Sequence, residues 1–93
     1  MCHTIKNKYG HKYYFSKSIE LVGAKIPRQN GLTGNGVKVG IIDTGIDYTH
    51  NDLHGFGNSG KVVGGHSYVG TLDNPIDTNG HGTEVAGIIC IYA

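Results

Sequence analysis

Residues 36–45, GVKVGIIDTG, constrain this chain more than any other stretch. Val37, Val39, Ile41 and Ile42, interrupted by Lys38 and Gly40, have the length and β-branched content of a buried strand. The run ends in Asp43, Thr44 and Gly45, so such a strand delivers a carboxylate at its C-terminal edge, and the glycine allows a turn out of the sheet. Parallel α/β sheets hold their ligands and catalytic groups just beyond the carboxyl ends of strands. Asp43 is therefore the first candidate for chemistry, and the question is which groups it works with.

Size limits the answer. A chain of 93 residues buries a smaller fraction of its surface than a domain of ~150, which disfavours a deep cleft. Sixteen glycines, well above the ~7% of an average protein, call for many tight turns. The net charge is +1, and the one basic cluster, Lys6, Lys8, His11, Lys12 and Lys17, reads as a solvated tail, so no nucleic-acid partner is expected. No run approaches the ~18 apolar residues of a membrane span, and MCHTIKNKYGHKYY at the N-terminus lacks the apolar core of a secretory signal, so no membrane partner is expected either. Cys2 and Cys90 lie near opposite ends without the repeated spacing of a disulfide framework or a zinc site.

Along the chain, residues 1–15 carry an aromatic cluster (Tyr9, Tyr13, Tyr14, Phe15) and read as extended or strand-like. Ser16 or Ser18 can cap a helix in which Glu20 falls in the first turn, Ile19, Val22 and Ile26 form the apolar face, and Pro27 is the stop. QNGLTGNG at 29–36 is a loop; its glycines precede a strand, the reverse of a dinucleotide-binding motif. KVVGGHSYVG at 61–70 reads as a second strand weakened by Gly64 and Gly65. From about Gly80, Val85, Ile88, Ile89 and Tyr92 form one apolar stripe on a helix that Asn79 can cap. The order helix, strand, strand, helix is an α/β pattern.

The last helix opens with NGHGTEVAGI, placing His81 in its first turn between two glycines that leave the imidazole uncovered. The helix N-terminus lowers the pKa of such a group and a nearby carboxylate raises it, so a value near ~6.5, suited to a general base, is expected. Small residues Ala86 and Gly87 let the helix pack closely and bring His81 towards Asp43. On the residues alone, Asp43 remains a candidate nucleophile, metal ligand or turn residue, and His81 a base or a cap. His50, Asp52 and His54 alternate and face one way if extended, a candidate metal site whose plainer reading is a polar turn. Ile41 to Gly45 also carries the Asp-Thr-Gly signature of dimeric aspartic proteases, a reading that requires an all-β chain.

Taken together, GVKVGIIDTGIDYTHNDL and NGHGTEVAGI resemble, in order and surroundings, the first two catalytic blocks of the subtilisin-like serine proteases, the subtilases. The resemblance covers residues 18–93 and implies the N-terminal portion of a catalytic domain: a partial parallel sheet with flanking helices, subtilisin-like but incomplete. Residues 1–17 are then a separate N-terminal segment, a candidate propeptide remnant. It implies a serine endopeptidase acting on protein or peptide substrates, with Asp43 as the carboxylate that orients the imidazole and His81 as the general base of an Asp-His-Ser triad. The family's serine lies in a Gly-Thr-Ser block and an Asn completes its oxyanion hole; neither block occurs in these 93 residues, and Ser16, Ser18, Ser59 and Ser67 have other contexts. The polypeptide alone is therefore expected to be inactive, the alternatives being a non-enzymatic truncated product or a partner-dependent fragment. Glu84 stands where many subtilases carry a second histidine. The resemblance offers Asp52 alone as a calcium ligand, too little to expect a cofactor, and it implies secretion although no signal is visible in the chain.

Overall fold

The structure is a computed structural model that describes residues 4–6, 12–14, 16–71 and 73–90. Two short strands, β1 (Thr4–Lys6) and β2 (Lys12–Tyr14), pair antiparallel with Ile5 opposite Tyr13, in keeping with the strand-like reading of this segment. The expected first helix is two: α1 (Ser16–Leu21) and α2 (Lys25–Gln29). Gly23, at φ 73°, ends α1 with the Gly23 amide bonded to the Glu20 carbonyl and the Ala24 amide to that of Ile19. Gly31, at φ 84°, repeats the arrangement after α2 through Arg28 and Pro27. A left-handed residue is what this helix stop requires, and glycine adopts it without strain. Pro27 does not stop the helix; it sits in the first turn of α2, where a missing N–H costs nothing.

The run at 37–42 departs most from expectation. It forms no strand: Val37 and Val39 are exposed and Ile42 fully so. A strand exists only when a neighbour pairs with its backbone, and the second expected strand, 61–70, contributes a single parallel bridge, Val62 to Phe56. Among the described residues the expected parallel sheet is thus reduced to that bridge. An open groove of ≈ 1100 Å³, lined by Ile19, Leu32, Val37, Val39, Ile41 and Ile88 among others, occupies the space beside the run.

The packed part of the molecule is small. A 3₁₀ turn, Asn51–Leu53, begins where the His50 ring accepts from the Asp52 amide, and it ends at His54 in the left-handed region, φ 56°. It drives Leu53 into full burial beside Val62 and Ala86. The third helix, α3 (His81–Cys90), lies against this turn. Its buried face is Gly82, Thr83, Ala86 and Gly87, not the expected apolar stripe; Ile88 and Ile89 are exposed and line the groove, and Tyr92 lies outside the described residues. At Gly82 the reason is backbone: the Gly45 peptide approaches so closely that a Cβ there has no room.

So much open apolar surface has a measurable consequence, since contiguous exposed patches of this kind favour association. In sedimentation velocity the 93-residue chain is expected to run as concentration-dependent oligomers and to bind an apolar dye; a dye-silent monomer at every concentration would contradict this.

Candidate active site

The site is built where the loop following the 37–42 run meets the N-terminus of α3. Gly45, at φ 122°, turns the chain, and the Ile46 amide bonds to the Pro75 carbonyl at 2.8 Å, tying this turn to the loop before the helix. A Cβ on Gly45 would lie 2.7 Å from that carbonyl oxygen, and one on Gly82 would collide outright with the Gly45 carbonyl oxygen. Both positions must be glycine for the two backbones to approach this closely. The contact lays the first turn of α3 across the loop that carries Asp43.

Hydrogen bonds fix the approach. Asp77, three residues before Gly80, accepts from the Asn79, Gly80 and Thr83 amides, each at 2.9 Å, and from the hydroxyls of Thr44 at 3.0 Å and Thr83 at 2.6 Å. Partial burial works against this charge, but these donors overcome it and hold the Asp77 carboxyl down at about 2. The two threonine hydroxyls also accept, Thr44 from the Gly82 amide at 2.9 Å and Thr83 from the Asp47 amide at 2.8 Å. Gly80, whose carbonyl accepts from the Glu84 amide, is the N-cap position, while Asn79 one residue earlier accepts from the His81 amide at 3.2 Å.

Within this frame His81 Nδ1 lies 2.8 Å from Asp43 Oδ1. The Thr44 amide donates to the same oxygen at 2.7 Å, so the carboxylate is held from both sides. An ionised carboxylate only accepts, so the imidazole carries its proton on Nδ1. Asp43's side chain is 16% exposed and that of His81 64%, and among the described residues nothing hydrogen-bonds to Nε2. The bond to His81, then that to the Thr44 amide, lower the Asp43 pKa. The bond to Asp43 and its charge raise that of His81 above its ordinary 6.5, with Glu84 and Asp77 adding to the rise. The only opposing influence on His81 is its partial desolvation, which the carboxylate outweighs.

Other sequence candidates separate. The 3₁₀ turn replaces the extended alternation of His50, Asp52 and His54, and among the described residues no three His, Cys, Asp or Glu side chains form a group able to hold a metal. The Asp52 carboxylate lies 3.8 Å from the His50 ring. His66, an exposed residue, pairs with Asp73 at 2.7 Å and meets Tyr68 edge-on. Cys90 is a free thiol, while Cys2 lies outside the described residues. No helix among the described residues is long and apolar enough to cross a membrane. Sequence reasoning missed Asp77, Thr44 and Thr83; the available signal was an acidic residue within one turn of a helix start.

Residues 34–93 match the family model described as the subtilase family. The chain belongs to the subtilase family. It is 48% identical over 71 residues to subtilisin DY of Bacillus licheniformis, covering 76% of this chain and 23% of that relative. Subtilisin Savinase of Lederbergia lenta is 46% identical over the same length, also covering 76% and 23%, and a thermophilic serine proteinase of Bacillus sp. strain AK1 is 48% identical over 54 residues, 58% and 12%. The subtilase match thus spans less than a quarter of these relatives' length. No solved structure matches the chain. Membership of the subtilases implies an α/β fold and, with the helical content of the site, displaces the all-β aspartic protease reading.

The pair should be visible by NMR. His81 contributes stability fully present below ~6.5 and lost as pH rises through its raised pKa, whereas Asp43 contributes above 3.8 and loses it as pH falls through its lowered one. The His81 titration midpoint is expected above 6.5, with Asp43→Asn returning it towards that value; an unchanged midpoint would break the assignment. Gly82→Ala should destabilise the chain by about 1–3 kcal/mol in thermal denaturation, because its Cβ meets backbone that cannot rotate away.

Proposed function

We propose that this chain carries two members of an Asp-His-Ser triad for peptide-bond hydrolysis, Asp43 as the orienting carboxylate and His81 as the general base. The observation that carries the reading is the 2.8 Å bond from His81 Nδ1 to Asp43, which leaves Nε2 without a partner among the described residues. A base in that tautomer presents its lone pair outward, and the imidazolium formed on accepting a proton lies beside a carboxylate that stabilises it. The raised His81 pKa makes proton uptake easier and switches the base off on the acid side.

The nucleophile would be a serine hydroxyl delivered to Nε2, and the substrate a protein or peptide. The four serines of the 93 residues are not in a Gly-Thr-Ser context. Ser67 turns its hydroxyl to the Val69 carbonyl at 2.9 Å, away from the role. These residues by themselves are therefore proposed to be inactive. The open groove and the unpaired 37–42 run favour a second reading of the same chain, a fragment that becomes competent only when further polypeptide covers them.

Two experiments test this. A fluorophosphonate probe should leave the 93-residue polypeptide unlabelled by intact mass, and a stoichiometric adduct would overturn the proposal. In any longer natural product that contains this chain and hydrolyses casein, His81→Ala and Asp43→Ala should each lower kcat severely. Single triad removals in subtilisin, where this has been worked out, cost roughly 10⁴- to 10⁶-fold; wild-type kcat in either variant would remove these residues from the mechanism.

A further inference from the structure

We propose that Asp77 is the positioning residue of the site: it sets the direction of the Thr44 and Thr83 hydroxyls, and through them holds His81 against Asp43. The inference rests on the catalytic reading of that pair for its consequence but not for its geometry.

Two hydrogen bonds carry the loop 43–47 onto the first turn of α3 besides the His81–Asp43 contact itself: Gly82 N–H to Thr44 Oγ1 and Asp47 N–H to Thr83 Oγ1. In each, a threonine hydroxyl must accept. A hydroxyl has one proton and a free rotor, so its lone pairs face the incoming amide only if the proton is committed elsewhere. Asp77 supplies that commitment twice, taking the Thr44 proton on Oδ1 and the Thr83 proton on Oδ2. Its remaining capacity is filled by the Asn79, Gly80 and Thr83 amides at the positive end of α3. One carboxylate thereby reads the helix end and both loop contacts at once. The Thr44 backbone also donates to Asp43, so a rotation of residue 44 moves the carboxylate that His81 meets.

An acceptor-only group is essential to this device. In an Asp77→Asn chain the new side-chain amide would turn N–H donors towards at least one of the groups that now donate, and the freed hydroxyl would lose its orientation. Thr44→Val keeps the shape but removes the hydroxyl, leaving the Gly82 amide without its partner and Asp77 one donor short. Thr44→Ser keeps the relay.

The test is the titration of His81 in the 93-residue chain, followed by ¹H–¹⁵N NMR with circular dichroism as the fold check. Asp77→Asn and Thr44→Val are expected to move the His81 midpoint down towards 6.5 and to broaden its Nδ1 proton signal, while Thr44→Ser leaves both as in the parent. Thr44→Val is the decisive variant because it leaves the Asp77 charge in place, so a shift reports position and not lost charge. An unmoved midpoint in folded Thr44→Val, or equal shifts in the valine and serine variants, would overturn the proposal. If Asp77→Asn does not fold, the Thr44 pair still decides. In a natural product with hydrolytic activity, Thr44→Val should lower kcat with little change in KM, by up to the ~10²-fold that a misplacement of about 1 Å costs. Failure of the hydrolysis reading would leave the NMR outcome standing, so the two fail separately.

Discussion

Two backbones touching at Gly45 and Gly82 are the constraint on which the site depends. A Cβ at position 82 would fall on the Gly45 carbonyl oxygen, so the approach exists only because neither residue has a side chain. Once the first turn of α3 lies there, the short reach of the Thr44 and Thr83 hydroxyls is enough to bind it, and His81 meets Asp43 without extending from a distance. Substitution by any larger residue would act on the His81–Asp43 geometry through the backbone, with neither of those side chains altered.

The electrostatics follow from that placement. Asp43 and Asp77 are both ionised carboxylates close to one helix N-terminus, yet they are used differently. Asp77 is saturated by amides and hydroxyls, so its charge is stabilised by dipoles. Asp43 faces the imidazole, and its charge goes into stabilising the protonated ring. Thr44 joins the two, its amide donating to Asp43 and its hydroxyl to Asp77.

What the sequence disclosed and what it withheld divide along one line. Asp43, Gly45, Asn79 and His81 stood out in the sequence because a turn and a helix start mark them through residues a few positions away, whereas the contact between Asp43 and His81 spans 38 positions. The apolar reading of 37–42 and of the Ile88–Ile89 stripe was sound as hydrophobicity but wrong as burial, because burial needs a partner surface that these residues do not meet among those described. Gly23 and Gly31 were counted as turn formers without being placed at helix ends. Asp77 escaped because its partners at positions 44 and 83 come together only in three dimensions. The His66–Asp73 pair was missed for the same reason, its members being joined by a bend and not by a motif.

The bond between Asp43 and His81 also closes a ring of chain, its ends separated by 38 positions. Closing a flexible loop of that length costs roughly 3 kcal/mol of entropy beyond a constant term. The Thr44–Asp77 bond closes nearly the same ring, across 33 positions. The second closure is almost free once the first is made, since the ends are already together. Formation of the pair and organisation of the intervening polypeptide, which includes the buried Leu53, are therefore coupled.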